Sequence, residues 1–210
     1  MAAEDDFLAE PVGFMRKCVL RPIIHGYSVT TKRFKFTRDV GMEVKKGSFH
    51  WYSKSLKYYK VEEDPNGAIE AYVLGYKDND APTAILGTQA NDPRIMFTYR
   101  MDGCSLGYAQ AGPHSPAYVS HHNDKTGGNN PLTMANQQVD FSDGATPALA
   151  FAHKVAYMTD SKAQFNTYYK STTVGVRDNG GIWRFYLQVR KFHGLTDNDL
   201  SLKGVIPINP

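Results

Sequence analysis

The chain has 210 residues, of which 41% are hydrophobic, 12% aromatic and 21% charged, and its formal net charge is +3. This length supports one sizeable core, and neither a long linker nor a repeat divides the sequence, so we expect a single domain over residues 1–210. The small net charge argues against nucleic acid as a partner, and no apolar run approaches the roughly 20 residues that a membrane-spanning helix needs.

The N-terminal residues and the cysteines indicate where the protein is made. Residues 4–6 are acidic where a secretory signal would be basic, so we expect synthesis in a cytosol without a classical signal peptide. Cys18 and Cys104 are the two cysteines. They form neither a disulfide framework nor a zinc-binding pattern, so reduced thiols and no metal are expected.

The first half of the chain predicts a short helix followed by strands. The helix would occupy the first eighteen residues, with an interruption at Pro11–Gly13. From Val19 to Val61, β-branched and aromatic residues alternate between glycine and charged residues, which is typical of strands. The clearest of these are Tyr27–Thr31, Phe34–Thr37 and Ser48–Tyr52.

Turn residues divide the next section. Asp64–Gly67 carries a strong turn signal, and a hairpin is predicted between the strand before it and the strand Ala68–Tyr76. Thr83–Thr88 predicts another short strand, and Ile95–Tyr99 predicts a buried one.

Positive charge is concentrated between Thr31 and Lys60. This segment has nine Lys or Arg residues against two acidic residues, which gives 9 − 2 = +7. Two interpretations stay open: a solvated strand face, or a docking face for an acidic partner surface or nucleic acid. In the second, the aromatic residues of the segment would act as anchors; they are Trp51, Tyr52, Tyr58 and Tyr59.

The second half of the chain predicts a loop, a helix and a hairpin. Residues 123–131 are polar and glycine-rich, which favours a loop. It would lie beside the candidate active site at Cys104, where it could act as a lid, recognise substrate or merely connect strands. Thr146 and Pro147 start a predicted helix from Pro147 to Met158, with His153 on its apolar stripe as a packed residue. A hairpin is predicted from Thr172–Val176 and Ile182–Phe192 around a turn at Asp178–Gly181. The core residues on one face of its second strand would be Trp183, Phe185, Leu187 and Val189, and the tail after Gly194 is expected to be irregular.

These elements together predict an α+β fold. Its core would be a β-sandwich of mostly antiparallel or mixed sheets, with helices packed outside.

Cys104 is the residue with the strongest chemical signal. It follows Gly103 at a strand-turn junction, and a loop at Ala111–Pro116 allows the strands on either side to form a hairpin. If the hairpin is symmetric about Gly112 and Pro113, Cys104 lies opposite His121. Opposed residues have Cβ atoms about 4.5–5.5 Å apart, so the imidazole could take the thiol proton. A small buried structural cysteine is the alternative.

The choice of base rests on strand alternation. His121 shares parity with Ala117 and Val119, the predicted inward face, whereas His122 points to the other face and is the alternative base. His114 is the third candidate and lies near the tip of the hairpin.

The segment Phe97-Thr-Tyr-Arg-Met-Asp-Gly-Cys104, with the Gly-Pro turn and a strand ending in histidine, resembles the catalytic segment of the bacterial toxin glutamine deamidases. This group includes the cytotoxic necrotizing factor catalytic domain and Burkholderia lethal factor. In that group a Leu-Ser-Gly-Cys motif supplies the nucleophile and a histidine at the end of the next strand supplies the base. The lethal factor also has a Phe-Thr-Tyr run whose threonine belongs to the site, and Thr98 matches it. Met101 and Asp102 replace the motif's Leu and Ser.

The resemblance implies the same sandwich architecture and a virulence effector that deamidates a glutamine of a host protein. Cys104 would be the nucleophile, His121 the base, and Thr98 a further site residue, while backbone N–H groups at Gly103 and Cys104 would hold the oxyanion. The substrate would be a Rho-type GTPase or a translation-initiation helicase in the host cytosol. No cofactor is required, and we expect a monomer without membrane attachment, made in a bacterial cytosol.

Other functions share these residues. A Cys–His protease or a transglutaminase would pass through a similar acyl-enzyme and differ in the bond attacked or in the acceptor. A non-enzymatic β-sandwich that binds through the basic aromatic face of residues 31–60, with Cys104 buried, is the alternative from another class.

Overall fold

The structure is a computed structural model, and it describes residues 2–24, 30–40, 42–46, 54–75, 82–101, 104–122, 149–152, 167–193 and 199–208. Within these ranges two short helices, α1 (Ala3–Ala9) and α2 (Pro11–Lys17), precede thirteen strands. The first turn of α1 carries three acidic residues, which its N-terminal dipole favours. Pro11 begins α2 because proline lacks the N–H that would continue α1.

The strands range in length from four to eleven residues. They are β1 (Cys18–Ile23), β2 (Thr30–Arg38), β3 (Glu43–Lys46), β4 (Lys54–Glu63), β5 (Ile69–Leu74), β6 (Thr83–Leu86), β7 (Ile95–Thr98), β8 (Ser105–Gln110), β9 (Ala117–His122), β10 (Leu149–Ala152), β11 (Thr167–Arg177), β12 (Trp183–His193) and β13 (Asp199–Ile208).

Nine of these strands form one large sheet. Their order is β1-β4-β2-β5-β7-β11-β12-β13-β3, and β3 also pairs with β4. The parallel β3–β13 pair and the antiparallel β3–β4 pair bring the two ends of this order together. Eight strands are therefore nearly closed into a barrel-like sheet, with β1 added beside β4.

The two helices lie on the enclosed side of this sheet. Side chains from β2, β4, β5, β7 and β11 converge there on one apolar cluster, which also contains Phe7, Phe14 and Met15 of the helices. Phe7 is fully buried, and its ring centroid lies 5.2 Å from that of Phe36 and 6.1 Å from that of Phe97. The predicted α+β sandwich with helices packed outside is therefore wrong: the protein is mostly β with a nearly closed barrel-like sheet, and its two short helices pack their apolar residues against that sheet.

The remaining four strands form a small sheet in the order β10-β8-β9-β6. It packs against the outer face of β5, β7, β11, β12 and β13 through a second apolar cluster. Trp183, Phe185, Leu187 and Val189, predicted to share one face of β12, all belong to this cluster. The space between the two sheets contains Cys104.

Local turn signals predicted two hairpins correctly. β11 pairs with β12 from Thr167↔His193 to Arg177↔Trp183, around the predicted turn at Asp178–Gly181. β8 pairs with β9 around the predicted loop at residues 111–116.

Three other predictions are wrong because distant strands decide the local structure. Leu149–Ala152, inside the predicted helix 147–158, is a strand that pairs with β8. The tail predicted to be irregular contains β13, which pairs with β12 and β3. β4 and β5 form no hairpin across the turn at Asp64–Gly67, because β2 lies between them and pairs with both.

Several predicted features fall outside the described residues. They are the strand at residues 48–52, the loop at residues 123–131, His153 and most of the strand at residues 27–31. In the described part of the chain, no helix is long and apolar enough to cross a membrane.

The basic segment is partly neutralised by neighbouring acids. Salt bridges join Lys32 to Glu63 at 2.7 Å, Lys35 to Asp64 at 2.8 Å and Lys60 to Asp39 at 3.0 Å. Two of its four proposed anchoring aromatics, Tyr58 and Tyr59, are buried in the core. These contacts favour the solvated-face interpretation over an aromatic docking face.

Candidate active site

Cys104 lies directly before β8, between the two sheets. Its side chain is 1% exposed and packs in the cluster that contains Met101, Leu106 and Tyr108. Gly103 and Asp102 lie outside the described residues, so the oxyanion position assigned to Gly103 stays a prediction.

The hairpin brings His121 to the same face as Cys104, but in a different register from the one predicted. Leu106, rather than Cys104, lies opposite His121. The hairpin is centred between Pro113 and His114, one residue beyond the predicted centre, so each partner moves by two residues. Because the shift is even, side-chain parity is kept, and Cys104 is the diagonal neighbour of His121. Diagonal neighbours are separated by about 7–8 Å, and by less between Cβ atoms, which an imidazole can bridge.

His121 is fully buried, and its imidazole forms a hydrogen bond to the large sheet. Its Nδ1 lies 3.1 Å from the carbonyl oxygen of Gly75, the residue after β5, and its backbone N–H donates to the carbonyl of Pro82. A carbonyl can only accept, so Nδ1 carries the proton and Nε2 is the basic nitrogen.

The surroundings of His121 keep it neutral. Burial lowers the pKa of His121 to about 4, which the hydrogen bond to Gly75 partly offsets and the neighbouring His122 reinforces. At pH 7 the imidazole therefore has the protonation state that a general base requires.

The two alternative bases have different surroundings. His122 lies on the opposite face of β9, where its Nε2 is 2.9 Å from Oγ of Ser120. His114 is exposed at the tip of the hairpin and has a backbone φ of 63°. Neither lies on the face that Cys104 shares with His121.

Thr98 ends β7 close to the carbonyl that holds His121. It lies opposite Leu74 in the parallel β5–β7 pair, one residue before Gly75. Its Oγ1 accepts a 3.0 Å hydrogen bond from the N–H of Thr173, so its own proton remains available for donation. The ends of β5 and β7 therefore place Thr98 and the fixed imidazole of His121 at one end of the intersheet space.

Strand β11 adds polar groups that the sequence analysis missed. Met101 and Ser171 form a bridge with two 2.8 Å backbone hydrogen bonds, and Thr173 Oγ1 donates to the sulfur of Met101 at 3.2 Å. The buried Oγ of Ser171 has no hydrogen-bond partner among the described residues. The run of three small hydroxyl residues from Ser171 to Thr173 in the middle of the strand is the signal that could have identified them.

The arrangement suits acyl chemistry at a thiol. A neutral imidazole with a defined tautomer shares a face with a cysteine, and a threonine hydroxyl lies at the same end of the sheet pair. The described residues include no group of three or more His, Cys, Asp or Glu side chains that could hold a metal ion.

Comparisons with known proteins give a similarity of structure and none of sequence. No protein-family model and no curated protein sequence matches the chain. Among solved structures, the chain is similar to the C-terminal domain of CNFy from Yersinia pseudotuberculosis, with a TM-score of 0.44 and 11% sequence identity. The similarity covers 85% of this chain and 71% of that chain, and it concerns the fold alone.

Proposed function

We propose that this protein is a toxin-type deamidase that hydrolyses the side-chain amide of a glutamine in a host protein, with Cys104 as the nucleophile. The observation that supports this most directly is the shared face of Cys104 and His121, with the imidazole held by Gly75 in the tautomer of a base. The resemblance of the Phe97–Cys104 segment to the catalytic segment of this toxin group supports the choice of reaction.

The reaction begins with transfer of the thiol proton to Nε2 of His121. Burial alone disfavours the imidazolium, but the thiolate formed in the same step offsets that cost because opposite charges stabilise each other at short range. Since Cys104 is 1% exposed, the substrate amide reaches its sulfur only when the site opens locally.

The thiolate then attacks the amide carbon of the glutamine and forms a tetrahedral oxyanion. Backbone N–H groups at Gly103 and Cys104 and the hydroxyl of Thr98 are the proposed donors to that oxygen. His121 returns its proton to the departing nitrogen, so ammonia leaves and a thioester remains. Water, deprotonated by His121, hydrolyses the thioester to glutamate and restores the thiol.

The proposed substrates are a Rho-type GTPase or a translation-initiation helicase of the host. The product gains one negative charge where the amide was neutral. A new carboxylate at a catalytic or switch position changes the local electrostatics of such a protein without cleaving its chain.

Incubation of these two classes of substrate with the purified protein, followed by peptide mass spectrometry, tests the proposal. Deamidation adds about one mass unit to a single glutamine-containing peptide, because an –NH₂ group is replaced by –OH. Cys104→Ser should lower the rate by at least about 10³-fold, since it removes the nucleophile. Cys18→Ser is the matched control and should retain the wild-type rate.

Other products would identify a different enzyme. Cleaved fragments would indicate a protease, and a peptide that gains the mass of an added amine would indicate a transglutaminase. Substantial activity in Cys104→Ala on a verified substrate would show that another group is the nucleophile.

A further inference from the structure

A cavity of about 470 Å³ lies at the closed end of the β8–β9 hairpin, against the turn between β11 and β12. The four residue steps from Ala117 to His121 span about 14 Å at the rise of a strand, so this cavity is separate from the candidate active site. Arginine, histidine, amide and hydroxyl groups line much of it, and these groups can all donate hydrogen bonds.

Arg177 places a buried positive charge at this cavity. Arg177 is 4% exposed. Its Nη1 donates to the carbonyl of Gln89 at 2.6 Å, and its Nη2 donates to the carbonyl of Asp92 at 2.8 Å. No carboxylate pairs with it among the described residues. A buried cation without an anionic partner is costly, and carbonyl dipoles compensate only part of that cost.

Arg94 adds a second guanidinium with donors to spare. Its Nε and Nη2 donate to the carbonyl of Arg177 at 3.3 and 3.2 Å. An arginine has five N–H groups, so three remain for another partner. Within the part of the chain that the structure describes, Arg94 also has no carboxylate partner.

The one carboxylate that lines the cavity is already engaged. Oδ1 of Asp178 accepts hydrogen bonds from the N–H groups of Gly180 and Ile182, both at 2.9 Å, and Oδ2 lies 3.4 Å from Arg184. Asp178 therefore forms its ion pair with Arg184 rather than with Arg94 or Arg177.

His114 is held at the rim of the cavity in an unusual conformation. Its φ of 63° lies in the left-handed region, and Thr88 Oγ1 donates to its carbonyl at 2.8 Å. A Cβ added at Gly181 would lie 3.0 Å from His114 Nδ1, so glycine leaves room for the imidazole. The ring therefore lines the same cavity as the two guanidinium groups.

We propose that this cavity binds an oxyanion, either a phosphate or a carboxylate group. The planar fork of Arg94 matches two oxygens of such a group, Arg177 supplies a second positive charge, and His114 lies within the same lining. The site is independent of the deamidase chemistry, because none of these residues lies beside Cys104.

Titration of the full chain with inorganic phosphate and, separately, with succinate tests this site at constant ionic strength set by sodium chloride. The readout is the imidazole NMR signal of His114, assigned by its loss in His114→Gln, with affinity measured by calorimetry. We expect saturable binding that shifts this signal. Tighter binding of phosphate would identify a phosphate group as the ligand, and tighter binding of succinate an acidic side chain or carboxylate metabolite.

Arg94→Gln should weaken binding by at least about tenfold, because it removes the charged fork. Arg94 is exposed, so the variant should fold. Lys203→Gln removes one positive charge from an exposed position on β13 and is the matched control, with unchanged affinity expected. The proposal would be overturned if neither phosphate nor succinate bound saturably. Equal affinity in wild type and Arg94→Gln would also overturn it.

Discussion

His121 connects the two sheets through its side chain, because it extends from β9 of the small sheet and donates to Gly75 beyond β5 of the large one. Such a second partner fixes both the tautomer and the ring orientation of a histidine. The position of the base is therefore set by how the two sheets pack, in addition to the hairpin that carries it.

Substitution of His121 should separate it from His122. His121→Ala and His121→Gln should each lower turnover by about 10²-fold or more, since Gln can still donate to Gly75 but cannot accept a proton at neutral pH. Both variants should also slow alkylation of Cys104 at pH 7. Cys18 is the internal reference, because burial raises the pKa of its thiol and neither substitution changes its surroundings.

His122→Ala should change both quantities by less than about tenfold, because its imidazole contacts Ser120 on the other face. Circular dichroism checks that each variant folds. A larger effect from His122→Ala than from His121→Ala would mean that the assigned base is wrong.

Stability should depend on the protonation of His121. Its pKa falls from 6.5 in the unfolded chain to about 4 in the fold, so between these values the unfolded state binds more protons. Stability is therefore lost as pH falls from about 6.5 toward about 4 and is unaffected by this group above that window, with a total near 3 kcal/mol.

Urea unfolding at pH 7 and pH 5 measures this dependence. The wild type should lose roughly 2 kcal/mol more than His121→Gln between the two pH values, because other titrating groups contribute equally to both proteins. The same loss in both proteins would contradict a buried neutral imidazole.

At the level of elements, Gly67 allows β2 to lie between β4 and β5. A Cβ at this position would lie 2.3 Å from backbone atoms of Phe34, whose strand pairs with the residues on both sides of the turn. Gly67→Ala should therefore destabilise the protein by about 1–3 kcal/mol. Gly204→Ala is the control, since nothing lies within 4 Å of its added Cβ. Equal denaturation midpoints for the two variants would show that β2 tolerates displacement.

Sequence predicted the elements that short-range chemistry determines. The turn at Asp178–Gly181 is stabilised by hydrogen bonds from Gly180 and Ile182 to the Asp178 side chain, so the β11–β12 hairpin could be identified from its own residues. The alternation of side chains along β9 also identified the face on which His121 lies. The register of the β8–β9 hairpin was predicted wrongly, because it depends on the exact centre of the loop. Leu149–Ala152 could not be identified, because its strand conformation comes from pairing with β8, whose paired residues lie 149 − 109 = 40 to 152 − 106 = 46 positions earlier.

At the level of the whole molecule, the same limit explains the wrong fold class. The sequence shows amphipathic helices and many strands, but it does not show that the sheet curls until β3 meets β13. Once the sheet curls, the enclosed side needs apolar filling, and α1 and α2 supply it. The helices are therefore part of the core.

Removal of this filling should be costly. Phe7→Ala should lower the free energy of unfolding by about 3–5 kcal/mol, because it leaves a cavity among Phe14, Phe36 and Phe97. Leu8→Ala is the adjacent control; Leu8 is 46% exposed, and its loss should change stability by less than about 0.5 kcal/mol. Urea denaturation compares the two, and similar small losses would place α1 outside the core.

The pairing of β3 with β13 also fixes an order of events during synthesis. Glu43 and its partner Asp199 are 199 − 43 = 156 positions apart. At translation rates of about 5–20 residues per second, β13 leaves the ribosome about 8–31 s after β3. Throughout that interval the edge of β3 that later pairs with β13 has no partner, so the nascent sheet keeps an open edge of the kind that other chains can join. The barrel-like sheet can therefore close only late, after almost all of its strands have been made.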